Sequence, residues 1–513
     1  MIHFIPNDPQ DTVMPMRKKT PRLNRPANRA GFTFFGEEPE DTYDPGTQTS
    51  GFLFWQCREA ALAALESWED VSGVPFTSWQ GPTKKIELRP DDGVDLNAYY
   101  NRASLSFFHF PAGSTKFLSG ASTDVVAHEA GHGILDAIRP ELITSSVFEE
   151  NAFHEAFGDC VAILTALLDG PTRTAVRPLL TEKNLVEGTI ETLAAGIKSI
   201  NANHNAAVPR RALNKFKWQL PSTLPDFGSA GDGPGKLINE IHSFGQVFTG
   251  CFYDTIVNIF QAQGGTTDAA LLAAVRTSGR LLAQAVATAP LNPRFFREVG
   301  RAMVKADEQE NAGANRDAIK AGFEAHDIPL GTGAMLAPVA ALAGAAPSFK
   351  AAAVSLPAAA MKDLRSRIGA IGGKLATSAL RIGGETVAEV IHQRVVSLDR
   401  LDKNLKGVVA RASEAILVGE SGGRAAILSA LPEAAIAVDE VETFVWSLLK
   451  QGAIDFGNTP KGAVALAAAN AAVNPVTHTI KMIGGKKVLT RFRFACQCQG
   501  VIGQLTSRVP LTN

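Results

Sequence analysis

Residues 122–135 read Ser122-Thr123-Asp124-Val125-Val126-Ala127-His128-Glu129-Ala130-Gly131-His132-Gly133-Ile134-Leu135, and the rest of the chain is best read outward from them. Ser122, Thr123 and Asp124 offer an N-cap and Pro140 forbids continuation, so the pattern predicts a helix from about Ser122 to Ile138. Residues four apart on a helix lie one above the other, so His128 and His132 face one point. Two neutral imidazole nitrogens suit zinc. Glu129 lies beside them, within reach of a water whose pKa such a metal lowers to near neutrality. The pattern H-E-x-x-H arises by chance on the order of once in a hundred chains this long, so its setting matters. Val125, Val126, Ile134 and Leu135 can anchor the helix, and Gly131 is read as leaving room near the metal.

A closed ligand set needs a third protein group. Asn151-Ala-Phe-His-Glu155-Ala-Phe-Gly-Asp159 lies on the next expected helix, from about Glu149 to Leu168, which Asp169-Gly170-Pro171 stops. Glu155 and Asp159 are four apart and share a face, while Phe153, Phe157, Val161 and Leu164 give the helix apolar cover. Carboxylates in such company are costly unless paired or metal-bound. Glu155 is therefore read as the third ligand and Asp159 as the acceptor that orients a zinc-bound histidine. The plain alternative is a solvated acidic face. His154 is expected to point away and not to ligate.

The 513 residues exceed one ordinary core, so two or three domains are expected. A net charge of −1 with 45% apolar and 20% charged residues gives no global attraction to nucleic acid or to an anionic membrane. Cys57, Cys160 and Cys251 read as small buried hydrophobes; Cys496 and Cys498 lack a second pair and are assigned no metal. No secretory signal is recognised at the start, so the expected compartment is cytoplasmic or reached by a non-classical route. No stretch is apolar for the length of a membrane span.

Residues 1–50 read as an N-terminal arm. A helix is expected over Gly51–Val71, strands over Lys84–Leu88, Leu96–Tyr100 and Ser104–Phe110, a long helix over Leu237–Gln261, and helices at about 267–288, 294–306 and 314–326. Residues 329–360 are rich in Ala, Pro and Gly and read as a linker. Residues 361–513 read as a separate C-terminal α+β module of unknown role, with a hairpin about Gly484-Gly485.

The segment Ser122–His132, followed by a helix bearing Glu-x-x-x-Asp, resembles the gluzincin peptidases, thermolysin and fungalysin among them. Asn97-Ala98-Tyr99-Tyr100 looks like the edge strand on which thermolysin-like enzymes bind a substrate backbone, with the Asn side chain on the leaving-group side. Glu240-Ile-His242-Ser-Phe-Gly245-Gln-Val-Phe is similar to the fungalysin segment Glu-Val-His-x-x-Gly-Glu-Val-Trp. The resemblance covers about residues 51–328. It implies an α+β gluzincin peptidase domain there, with a mixed β-sheet lobe, a helical lobe and a zinc cleft between them. It implies one catalytic zinc on His128, His132 and Glu155, and Glu129 as general base for hydrolysis of internal peptide bonds through a zinc-activated water. By the same match His242 stabilises the oxyanion, Asn97 and Ala98 bind substrate, and Arg211 stands for the arginine near the substrate carbonyl. Asp124 matches a calcium ligand of thermolysin, but no accompanying acidic cluster is recognisable, which leaves structural calcium weakly supported.

Two departures stand beside these matches. No tyrosine occurs between Gly133 and Glu150, and Leu237 stands where thermolysin has an aspartate five residues before the oxyanion histidine, leaving Glu240 and Asp232 as candidates to orient His242. They motivate a rival reading, a catalytically weak or inactive binding protein on the same fold. A second rival is a peptidase effector delivered by a dedicated secretion system. The expected partner is a protein or peptide substrate, with no nucleic acid and no membrane; the sequence is silent on oligomeric state.

Overall fold

Two helices carry His128, Glu129, His132, Glu155 and Asp159, and they meet backbone to backbone. The structure is a computed structural model, and it describes all residues except 10–12, 35–36, 44–48, 81–83, 96, 113–114, 182–211, 232–235, 332–357, 368–375, 383–384, 422–423, 428–433, 458–475 and 496–513. Arg211, Asp232, Cys496, Cys498 and most of the 329–360 segment thus lie outside the described residues.

The helices are α1 (Ser50–Ser72), α2 (Thr123–Ile138), the single turn α3 (Glu141–Thr144), α4 (Phe148–Leu168), α5 (Gly170–Thr181), α6 (Ile241–Ala262), α7 (Asp268–Thr288), α8 (Phe295–Asn311), α9 (Arg316–Glu324), α10 (Ala358–Arg367) and α11 (Ala434–Gln451). The Ser122 side chain caps α2. Helix α6 begins at Ile241, four residues later than its apolar pattern suggests. Glu240 is extended (φ −153°) and its carboxylate accepts from Ser243 N at 2.8 Å, so it ends the preceding segment and caps the helix at once. Glutamate is not among the favoured N-cap residues, which hid this start.

Where α2 crosses α4, a Cβ on Gly131 would lie 2.8 Å from Gly158 Cα. Where α6 crosses α4, a Cβ on Gly245 would lie 2.9 Å from the Ala152 carbonyl oxygen. Both crossings are closer than any side chain permits. Gly131 therefore does not border the expected metal position; it admits the neighbouring helix.

A five-stranded sheet packs beside α2. Its order is β16 (Phe494–Ala495), β5 (Ala98–Tyr100), β6 (Ser104–Phe107), β4 (Lys85–Arg89) and β3 (Gly31–Thr33). The strand expected over Ser104–Phe110 breaks at Phe108, whose N–H donates to Ser119 Oγ (2.8 Å) and whose carbonyl accepts from Ser119 N (3.0 Å). Beyond the break β7 (His109–Ala112) pairs with β8 (Thr115–Leu118) in a sheet of its own.

A seven-stranded sheet follows residue 375. It runs β13 (Ile454–Asp455), β14 (His478–Ile483), β15 (Lys486–Arg491), β11 (Val408–Ser421), β10 (Glu385–Ser397), β9 (Ala376–Ile382), with β12 (Arg424–Ile427) on β11. Gly484 and Gly485, at φ 57° and 78°, form the two-residue turn of the β14–β15 hairpin, which needs positive φ at both positions. This sheet and α11 touch the helices directly. Arg139, buried in the α2–α3 turn, donates to the carbonyls of Val286 and Ala289 and to Glu389. Ser146 N donates to Arg411 O (2.6 Å), and Ala415 N to Leu291 O (3.0 Å). No helix among the described residues is long and apolar enough to cross a membrane.

The contact between α4 and α11 is charged. Glu149 and Glu440 are both buried, and Arg294 lies 3.9 Å from the first and 2.5 Å from the second. Burial, together with the neighbouring carboxylate, pushes Glu149 up to about 8; burial pushes Glu440 up to about 7 despite Arg294. In the unfolded chain both ionise near their ordinary value of 4.5. Between those limits the folded state holds more protons than the unfolded one, so stability falls as pH rises through the window and levels off above it. Measured relative to Glu440→Gln, the urea midpoint of the parent protein is expected to decline from about pH 5 to about pH 8, the comparison cancelling groups common to both. Gly131→Ala should cost about 1–3 kcal/mol in the same assay, because the added methyl meets backbone rather than a movable side chain.

Candidate metal centre

His128 and His132 lie on successive turns of α2, with ring centroids 4.6 Å apart. Glu155, on α4, brings Oε2 to 3.4 Å from His128 Nε2 and 3.5 Å from His132 Nε2. Ligands at about 2.0–2.1 Å from a tetrahedral zinc lie about 3.3–3.4 Å from one another, so both separations fit tetrahedral edges. Glu129 is a second nearby carboxylate: one ligand atom each from His128, Glu129 and His132 fall within 4.8 Å of one another. Glu155 Oε2 is within 3.5 Å of both Nε2 atoms, which makes Glu155 a candidate third ligand. All four side chains are at most 1% exposed.

The outer ring nitrogens are held as a metal site needs. His128 Nδ1 lies 2.8 Å from Asp159 Oδ1, and Thr249 Oγ donates to Asp159 Oδ2 at 3.1 Å. With Nδ1–H donating to the carboxylate, a neutral His128 turns a lone pair at Nε2 towards Glu155. Gly158 makes this pose available, since a Cβ there would lie 2.6 Å from His128 Nδ1. His132 Nδ1 lies 2.8 Å from His154 Nδ1. Burial pushes His132 down to about 4, against the pull of Glu155, and holds His154 well below the usual histidine range. Among the described residues, His132 Nε2 is buried without a hydrogen-bond partner. Burial opposes charge on Glu155, yet His242 and His132 keep its carboxyl well below the ordinary range. Two imidazole nitrogens and a carboxylate oxygen separated by 3.4–3.5 Å suit a cation between them.

His242 opens α6 and completes the cluster. Its Nδ1 lies 2.6 Å from Glu240 Oε1, and its Nε2 lies 3.1 Å from Glu155 Oε2. Burial works against protonation, but Glu155 and Glu240 raise it well above the usual range, so the ring carries charge. Of the two acids considered for orienting His242, Glu240 is in contact; Asp232 is outside the described residues.

Asn97 is buried, its Oδ1 accepts from Ala98 N at 2.9 Å, and its Nδ2 is buried without a hydrogen-bond partner among the described residues. Ala98 starts β5, and β5 borders the cluster through β16: Ala495, paired with Tyr99, accepts at its carbonyl from His242 Nε2 at 2.9 Å.

Several participants were not foreseen. His154 does not point away: α4 crosses α2 so closely that the residue before Glu155 reaches the outer edge of His132. Its position beside Glu155 was the available signal. Phe494 stacks on His154 (3.7 Å between centroids) and on His132 (4.7 Å), and the Arg491 guanidinium lies 4.0 Å over the Phe494 ring. Nothing local in the sequence ties residues 491–495 to α2.

Residues 101–334 match the family model of the fungalysin metallopeptidases (M36), a zinc metallopeptidase family. That span holds α2, α4 and His242 and leaves out everything after 334. No curated protein matches the chain.

Asp159→Ala and His154→Ala are each expected to lower zinc affinity by about 10–100-fold, read by titration against a competing chelator, because each removes the group that fixes a ring facing the metal position.

Proposed function

On the strength of that family match and the geometry of the cluster, we propose that this chain is a zinc metalloendopeptidase of the thermolysin-like (gluzincin) kind. The observation that carries the reading is the placement of Glu155 Oε2 within 3.4 and 3.5 Å of the two ring nitrogens of the H-E-x-x-H helix. His128, His132 and Glu155 would hold the ion, and Asp159 and His154 set the rings. Zinc, when bound, would polarise the scissile carbonyl and make an adjacent water acidic enough to ionise near neutral pH.

The chain's own residues do the remaining work. Glu129 is buried on the same helix, one residue beyond His128. It takes the proton of the attacking water and passes it to the leaving amine. His242, kept cationic by Glu240 and Glu155, donates to the carbonyl oxygen as negative charge develops on it. The outer edge of β5 accepts an extended chain in antiparallel register, and Asn97 offers Nδ2 to its backbone. An edge strand holds the middle of a chain, which favours cleavage of internal bonds. Arg211 remains a candidate for the substrate carbonyl on sequence pattern alone.

Glu129→Gln keeps the size and the helix but removes the base. Cleavage of a quenched peptide library should fall by about 10²–10⁴-fold with zinc content unchanged. Retained cleavage in a zinc-loaded variant would assign the proton transfer to another group.

A further inference from the structure

The metal-site side chains are sealed. His128, Glu129, His132 and Glu155 are 0–1% exposed, whereas a site that hydrolyses polypeptides must admit one. The cover is the chain's own later portion. Strand β15 is fixed to β11 in parallel register (Val408↔Lys487, Val409↔Val488). Three residues after it ends, β16 adds antiparallel to the free edge of β5, with Phe494 opposite Tyr100 and Ala495 opposite Tyr99.

Each contact of this segment suits a bound peptide. Its backbone occupies the strand edge. The Ala495 carbonyl takes the hydrogen bond of His242 Nε2, the group assigned above to the scissile carbonyl. The Phe494 ring lies flat on the two imidazoles, 22° from the plane of His154 and 20° from that of His132. The Arg491 guanidinium lies 4.0 Å over the Phe494 ring and donates to Asn151 Oδ1 at 2.5 Å, while Arg493 donates to Val476 O at 2.7 Å. The space left beside Glu155 and His242 is about 10 Å³, room for about one water.

We propose that residues 491–495 are an intramolecular peptide ligand that keeps this site latent, and that the β5 edge they fill is a binding site for extended peptides in which an aromatic residue precedes a small one. The proposal rests on the peptidase reading for the meaning of latency, though not for the occupancy itself. A tethered ligand acts at an effective concentration on the order of millimolar, so dilute substrate does not displace it.

The test uses the full-length chain with Phe494→Ala and, separately, Ala495→Pro, which removes a backbone donor from β16; helix content and urea midpoint check the fold. Two rates are read: removal of zinc by an excess of chelator, and cleavage of quenched peptides. Both should rise about tenfold or more in each variant, and the free amidated pentapeptide with the sequence of residues 491–495 should reverse the effect in trans. Faster zinc removal and pentapeptide binding with no cleavage would keep the occupancy and remove the peptidase reading. Zinc removal at the parent rate in both folded variants would overturn the proposal.

Discussion

The touching backbones of α2 and α4 are the constraint on which the rest depends. Gly131 and Gly158 let the two helices approach until one face of α2 and one face of α4 share a single small volume. Only at that separation do two imidazoles four residues apart meet a carboxylate from another helix, and only then does Asp159 reach the back of His128. The same closeness carries His154 to the back of His132. A wider crossing would leave the same residue types on the same helices with nothing between them to coordinate.

That closeness has an electrostatic cost, and the cluster is arranged to offset it. Glu155 and Glu240 are buried acids and His242 a buried base, and each alone would be driven neutral by loss of water. Together they alternate in sign along a short line from Glu240 through His242 to Glu155, so each stabilises its neighbour's charge. His132 and His154 lie to one side and stay neutral because no acid donates them enough field to overcome burial. The site thus separates charged from uncharged imidazoles without any change of residue type.

Much of this was legible in the sequence where the physics is local. Helical spacing placed His128, His132, Glu155 and Asp159 on faces that could converge, and capping and proline rules gave the bounds of α2 and α4 within a residue or so. The Gly-Gly turn of the β14–β15 hairpin was equally readable. The failures share one cause, contacts between distant segments. Helical pattern alone puts Gly131 beside the metal, whereas it faces another helix. Helical pattern alone turns His154 away, because its own helix says nothing about where α2 passes. The strand through Phe108 was broken by Ser119, eleven residues on, and Phe494 had no local pattern to link it with a histidine far upstream.

The pairing of β16 with β5 also sets an order of events during synthesis. Ala495 follows its partner His242 by 253 residues. At about 5–20 residues per second, the ribosome needs roughly ten to fifty seconds to span that interval. Through it, the metal-binding helices and the free edge of β5 exist without the strand that will lie on them. Through that interval the candidate metal position stays open to solvent, and it closes only when β16 arrives. An unprotected edge at that stage is also open to pairing with another nascent chain, a hazard that ends when β16 docks.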